Sequence, residues 1–193
     1  MKIILASASP RRKSLMEVLG VDFEIKISEC EEIIDKRKKV EEIVMSLSLQ
    51  KAQAVAKDSD NNSLVIGADT IVSYKNEILG KPSNYDDAVR MLKLLSGKTH
   101  SVYTGFTIIN TSDNAIITDY EKSDVTFKNL TEQEIDDYVN TGEPMDKAGA
   151  YSIQGIASSF VENLSGDYNN VVGLPIYKLS KYLYNSFNIK GAK

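Results

Sequence analysis

The chain opens on a junction that leaves few choices of fold. Ile3 to Ala6 form a short apolar run that reads as a buried strand, and Ser7-Ala-Ser-Pro-Arg-Arg12 follows without a break. Leu15, Val18 and Leu19 then fall at helical spacing. Ser9 stands where an N-cap belongs, and Pro10 at the first helical position, where its missing N–H would be unpaired anyway. A strand feeding straight into a capped helix is the start of an α/β unit. The free amides and positive dipole end of that helix attract anions, and Arg11 and Arg12 add formal charge. With the hydroxyls of Ser7 and Ser9 beside them, this turn reads as a phosphate site.

The alternation continues along the chain. Phe23 to Ile27 reads as a strand and Val40 to Lys57 as a helix. Leu64 to Ile71 reads as a strongly apolar strand interrupted by Gly67 and Asp69. Ser83 with Asp86 resembles a capping box opening a helix that ends near Gly97, and Thr131 with Glu134 a better one, starting a helix to about Thr141. His100 to Ile109 and Ile116 to Phe127 form a long hairpin pattern around Thr111 to Asn114. Strands are expected around Tyr151 and Phe160, a structural turn at Asn169 to Pro175, and a last helix from about Pro175 to Phe187. The tail from Asn188 shows no packing signal. The alternation points to α/β architecture, and with no repeat or Gly/Ser-rich linker no domain cut is readable, so one large domain and two closely joined lobes both stand.

Composition narrows the function. A net charge of −4 argues against broad nucleic-acid binding, although a local Lys/Arg cluster can still hold a small polyphosphate. No apolar run approaches the length of a membrane span, and no basic segment leads a long apolar one, so a cytoplasmic protein is expected. The one cysteine, Cys30, suits a reducing compartment, and its acidic surroundings argue against a reactive thiolate. The one histidine, His100, reads as a structural residue at a strand end.

Asp69, inside Val65-Ile-Gly-Ala-Asp-Thr-Ile-Val72, is the best acid in the chain. Burying an unpaired charge there would cost several kcal/mol, so it must reach solvent, meet a cation or bind a metal. Gly67 would let a ligand approach the backbone closely. Glu31 and Glu32 read first as a solvated charge run, and near Asp69 one of them would complete a hard-oxygen site. Lys51 reads first as a surface lysine. Lys81, in Gly80-Lys-Pro82 after a hairpin-like stretch, is held on a stiff loop where it could meet a phosphate as a point charge. Asp146-Lys147 reads equally as a structural ion pair or a substrate contact. Gln154 could offer its amide to a base edge.

In order along residues 3–185, the stretches Ser7 to Arg12, Glu31-Glu32, Lys51-Ala52, Gly67 to Thr70, Gly80 to Pro82, Leu95 to Gly97, Asp146 to Tyr151, Ile153 to Gly155 and Val172 to Pro175 resemble the Maf, or septum-formation-inhibitor-like, nucleoside triphosphate pyrophosphatases. The resemblance implies a single domain over residues 1–193, an α/β fold with a mixed sheet and flanking helices in two lobes around a cleft, similar to the inosine-triphosphate pyrophosphatases, and often a homodimer. It implies hydrolysis of a nucleoside triphosphate to the monophosphate and pyrophosphate, dependent on Mg²⁺ or Mn²⁺. Carried over by position, Asp69 would be the catalytic acid residue and, with Glu32, the metal ligand. Ser7, Arg12, Lys51 and Lys81 would meet the phosphates. Arg11, Thr70 and Gln154 occupy the positions that sort the family's substrates, and their combination is similar to the dTTP/UTP subgroup. The alternatives are the same reaction on 7-methyl-GTP or another modified nucleotide, and a nucleotide-sensing regulator of division without turnover.

Overall fold

The structure, a computed structural model, describes residues 1–27 and 31–191. Cys30, named above, lies outside the described residues. Among those described, no helix is long and apolar enough to cross a membrane. The chain forms two compact units, one of Met1–Asp69, Thr104–Glu121 and Gly173–Lys193, the other of Thr70–Tyr103 and Lys122–Val172.

In the first unit, β1 (Lys2–Ala6) leads through Ser9 into α1 (Pro10–Val18). The Ser9 hydroxyl accepts the Arg12 N–H at 3.4 Å, so the cap and the proline stand where the sequence puts them. The expected strand over 23–27 shortens to β2 (Glu24–Ile25), parallel to β1. Helix α2 (Val40–Ala56) is followed by β3 (Ser63–Tyr74), whose first half lies parallel to β1, with Ile4 against Val65 and Ala6 against Gly67. On β3, Val65, Gly67 and Asp69 share one face, because strand side chains alternate. Val65 packs in an apolar cluster with Ile4, Ala6, Ala52, Val55 and Ile109, so that face lies under α2.

Two glycines set the distance between α2 and the sheet. A Cβ on Gly67 would press on the Ser48 carbonyl and stand 2.7 Å from the Ala52 nitrogen. On Gly105, in β5 (Thr99–Asn110), one would stand 2.5 Å from the Val44 carbonyl oxygen. The helix therefore lies with its backbone on the strands along Val44, Ser48 and Ala52, all fully buried. The open side of Gly67 faces this helix rather than a ligand, which corrects the expectation above. β5 and β6 (Ile116–Phe127) pair in opposite directions, as Thr107 facing Thr118 and Thr99 facing Thr126 require. Helix α6 (Ile176–Phe187) completes this unit. The tail is not wholly unpacked, for Gly191 lies directly against the Leu19 carbonyl.

In the second unit the latter half of β3 turns through Lys75 and Asn76, both at positive φ, into antiparallel β4 (Glu77–Leu79). That pair of left-handed residues is the turn a two-residue hairpin demands. Helix α3 (Tyr85–Leu95) is capped by Asn84, whose side chain accepts the Asp87 N–H at 2.9 Å. The expected box at Ser83 and Asp86 is thus one residue early, and Ser83 instead donates its N–H to Asp87. Helix α4 (Glu132–Asn140) carries the expected box: Thr131 Oγ1 accepts the Glu134 N–H at 3.2 Å and Glu134 Oε2 the Thr131 N–H at 2.8 Å. Lys128 and Thr131 together hold the Glu134 carboxyl down to about 2. Thr131→Ala should cost about 1 kcal/mol of stability, measured as a shift of the urea midpoint.

The segment expected as two strands behaves differently. Residues 143–160 form three short 3₁₀ turns, and only Val161–Ser165 is a strand, β7, antiparallel to β6. Gly149 and Ala150 take positive φ, which breaks any strand leading into Tyr151. The expected turn at Asn169 and Asn170 is a short helix, α5 (Tyr168–Val172), where the buried Asn170 amide donates to the Val102 carbonyl at 3.0 Å and to Ser123 at 2.8 Å.

Tyr151 instead lies in the core beside His100 and Phe127, the three rings meeting edge to face with centroids 4.8–5.3 Å apart. His100 Nε2 is 2.8 Å from the Tyr151 hydroxyl. Burial pushes the imidazole down to about 4, opposed by Asp124. The folded protein therefore resists a proton that the unfolded chain accepts near ~6.5. This contribution to stability is whole above that value and is lost as pH falls towards 4, a total of about 3 kcal/mol. Against a His100→Gln variant, the wild-type urea midpoint should fall more steeply over that window, and equal slopes would refute the assignment.

Candidate functional site

The first unit holds six of the nine site residues singled out from sequence: Ser7, Arg11, Arg12, Glu32, Lys51 and Asp69. Asp69 ends that unit's part of β3, on the face under α2, and is 9% exposed. Lys51 comes from α2, beside the Ala52 that lies on Gly67. Its ammonium pairs with Asp69 and with Glu32, the latter at 3.0 Å. Alternation on β3 and the close seating of α2 thus bring the acid and the lysine together. A near-buried carboxylate and a near-buried ammonium each meet the partner that their burial requires.

Glu32 reaches this pair because its loop is fastened to the same helix. The Gln50 amide accepts the Ile33 N–H at 2.9 Å and donates to the Ile33 carbonyl at 3.0 Å. Gln50 is not among the residues that sequence singles out. It acts on backbone atoms, and nothing in the sequence signals which loop a helix-surface amide will hold.

Ser7 and Arg12 meet at the start of α1. Ser7 is buried, and its Oγ accepts the Ser9 N–H at 3.2 Å and lies 3.4 Å from Arg12 Nη1. Arg12 Nε donates to the Gly173 carbonyl at 2.8 Å, a contact across 161 positions that sequence could not suggest. Burial lowers the Arg12 guanidinium from its ordinary value; Asp69 opposes this, Arg11 adds to it and Glu32 opposes it. The group stays charged regardless. Asp69, Arg11 and Glu32 are thus its electrostatic neighbours. Register agrees, since Ala6 lies beside Gly67 and both strands run the same way, bringing Ser7 and Asp69 to the same end of the parallel pair. That end, with a helix N-terminus above it, is where open α/β sheets hold ligands.

Two acids, Asp69 and Glu32, balance two bases, Arg12 and Lys51. Such a centre can take a polyanion if more positive charge comes with it, and its carboxylates are groups that can accept a proton.

Thr70, Lys81 and Gln154 belong to the second unit. Thr70 follows Asp69 directly in β3 and is partly buried. Lys81 is exposed, on a loop held by the Gly149 N–H donating to the Gly80 carbonyl at 3.0 Å. Gln154 is exposed at a turn whose Gly155 N–H reaches the Ser152 carbonyl at 3.3 Å. Asp146 and Lys147 pair with each other, as one of the two readings had it.

Known proteins share this arrangement of sequence. The pattern of Maf-like proteins matches residues 2–186. A Bacillus cereus (strain G9842) protein named dTTP/UTP pyrophosphatase is 58% identical over 182 residues, covering 94% of each chain. A Bacillus anthracis protein of the same name is 57% identical over 188 residues, covering 97% of this chain and 96% of its own. Among solved structures, the Ham1 protein of Staphylococcus aureus superposes with a TM-score of 0.52 at 14% identity, over 96% of this chain and 100% of that one. That likeness extends the mixed α/β fold to a protein with little sequence in common. With the family pattern spanning both units and carrying the strand–Ser-Pro-Arg-Arg–helix junction, the chain belongs to the Maf-like proteins.

Proposed function

We propose that this chain is a dTTP/UTP pyrophosphatase, hydrolysing either nucleotide to the monophosphate and pyrophosphate. The observation that carries the reading is the Asp69–Lys51–Glu32 cluster in the same unit as Ser7 and Arg12, in a chain 57–58% identical to proteins of that name. In this reading Arg12, Ser7 and the N–H groups opening α1 hold phosphate oxygens, as helix N-termini do. Lys51 bridges the acids and the phosphates, and Asp69 takes the proton from the attacking water. The α–β anhydride bond breaks as the water oxygen bonds to phosphorus, and pyrophosphate leaves. Lys81 as a further phosphate contact, and Arg11, Thr70 and Gln154 as selectors of the base, rest on the resemblance to the family.

A divalent cation fits the donor set. Glu32 and Asp69 converge on one positive charge, Lys51 Nζ, so their hard oxygens can face a single cation. No group of three or more metal-ligating side chains occurs among the described residues. The protein would thus supply two carboxylates and the substrate the rest, the usual habit of Mg²⁺ with nucleotides. When bound, Mg²⁺ or Mn²⁺ neutralises phosphate charge that the four balanced side chains leave uncompensated. The same reading makes the protein a cytoplasmic homodimer, for which light scattering at micromolar concentration should give twice the mass of 21.4 kDa.

Pyrophosphate release tests the function. With Mg²⁺ or Mn²⁺, dTTP and UTP should be turned over faster than dCTP, dGTP, ITP and 7-methyl-GTP, and chelation should stop the reaction. Faster turnover of 7-methyl-GTP or ITP would move the substrate assignment to a modified purine. No release from any of them above an Asp69→Ala control would leave a protein that binds nucleotides without turning them over.

A further inference from the structure

Tyr138 and Glu143 have no role in the chemistry above, yet they meet the turn that carries Gln154 from both sides. The Tyr138 hydroxyl donates to Glu143 Oε1 at 3.1 Å, and the Ser152 backbone N–H faces the same hydroxyl, opposing the rise of its pKa. Glu143 Oε2 accepts the Ile156 N–H at 3.2 Å. One hydroxyl–carboxylate pair thus ties down the Ile156 end of the 152–156 turn and stands beside its Ser152 end. Between those ends, Gln154 donates its own N–H to Ser152 Oγ at 3.3 Å. Gly155 completes the fit, for a Cβ there would press on the Glu143 carboxylate, 2.8 Å from Oε2.

The anchor is firm where the turn is not. Tyr138 is 2% exposed, and its ring packs edge to face on Phe160 at 5.2 Å. Burial first, and Glu143 second, keep its phenol well above the usual range, so it remains a donor to the carboxylate. Gln154 stands exposed at the crest, where its backbone N–H meets the Ser152 hydroxyl. An amide that reads a base edge must be held within about 0.5 Å of its working position, which an exposed turn does not achieve unaided.

We propose that the Tyr138–Glu143 pair is a positioning device for base selection: by holding the turn at Ile156, through a carboxylate itself fixed by Tyr138, it sets where Gln154 meets the nucleobase. The inference rests on Gln154 reading the base. Neither Tyr138 nor Glu143 is among the groups assigned to the reacting phosphates, so their loss falls on binding and selectivity rather than on the chemical step.

The test uses the full chain and four variants, Glu143→Gln, Tyr138→Phe, Gln154→Ala and Glu143→Gln combined with Gln154→Ala, assayed with dTTP and dCTP beside thermal melts. Glu143→Gln has one acceptor oxygen where the carboxylate uses two, so it cannot accept from both Tyr138 and Ile156, and Tyr138→Phe keeps the core ring but loses the hydrogen bond to Glu143. Each should raise KM for dTTP about tenfold with kcat within about threefold, as expected when the competent conformer is depopulated. Each should also lower the dTTP-over-dCTP ratio of kcat/KM by about tenfold. Gln154→Ala should collapse the same ratio, and adding Glu143→Gln to it should change it no further. If Gln154→Ala collapses the ratio while Glu143→Gln and Tyr138→Phe leave it intact, the clamp is overturned and base reading stands. If Gln154→Ala itself leaves the ratio intact, base reading fails and takes the inference with it. A fall in kcat at unchanged KM in the clamp variants would also overturn it. Should Glu143→Gln fail to fold, Tyr138→Phe decides between the same outcomes.

Discussion

Asp69→Asn should lower kcat for dTTP by about three orders of magnitude or more, within the range that loss of a positioned general base spans. The substitution keeps the shape of the side chain and removes its charge. Lys51 keeps Glu32 at 3.0 Å, so the cation is not stranded and the folded protein should survive. Removing one negative charge lowers repulsion towards the phosphates but also weakens the hold on the divalent cation, and these effects oppose each other, so KM should change by only a few fold. That division, with nearly all of the loss in kcat, marks an interaction made in the transition state rather than in binding. Initial rates of pyrophosphate release across dTTP concentrations, with thermal melts alongside, give both numbers. Turnover within tenfold of wild type would sink the assignment of Asp69 as the group that takes the proton.

How much of this site is legible in the sequence follows from which contacts are local. The junction at Ser9 and Pro10 is legible because caps act over three or four residues, and the Thr131–Glu134 box is legible for the same reason. At α3 two candidate caps stand side by side, Ser83 with Asp86 and Asn84 with Asp87, and spacing alone does not choose between them. Tyr151 misleads because its neighbours have strand-like character, while the positive φ of Gly149 and Ala150 comes from packing that no local pattern reports. Asp69 is legible as a charge in an apolar strand, a conflict that needs a partner. Which partner it takes is not, because Lys51 and Glu32 arrive through α2 and through the hold of Gln50 on Ile33. Gly67 signals close approach correctly but does not say what approaches. A glycine opposite a helix and a glycine opposite a ligand look the same in sequence, and only the depth at which α2 sits tells them apart.

That depth makes the second large effect a test of how fold places chemistry. Gly67→Ala should destabilise the protein by about 3 kcal/mol, the upper end of overpacking, because the added methyl meets backbone and not a side chain that can rotate away. Its neighbours are the Ser48 carbonyl and the Ala52 nitrogen, so relief requires α2 to lift from the sheet. Gly105, against Val44 one turn earlier, resists that movement. Lys51 rides on the lifted segment, and an ångström of displacement is enough to cost about a hundredfold in rate. The variant should therefore lose both urea midpoint and kcat, although it changes no polar atom. Gly80→Ala is the control for stability, since its Cβ would meet nothing within 4 Å. Its urea midpoint should hold or rise slightly, as alanine leaves the unfolded chain less freedom to lose. If Gly67→Ala kept its midpoint and its rate, α2 would not owe its seat to the two glycines, and the meeting of Lys51 with Asp69 would need another cause.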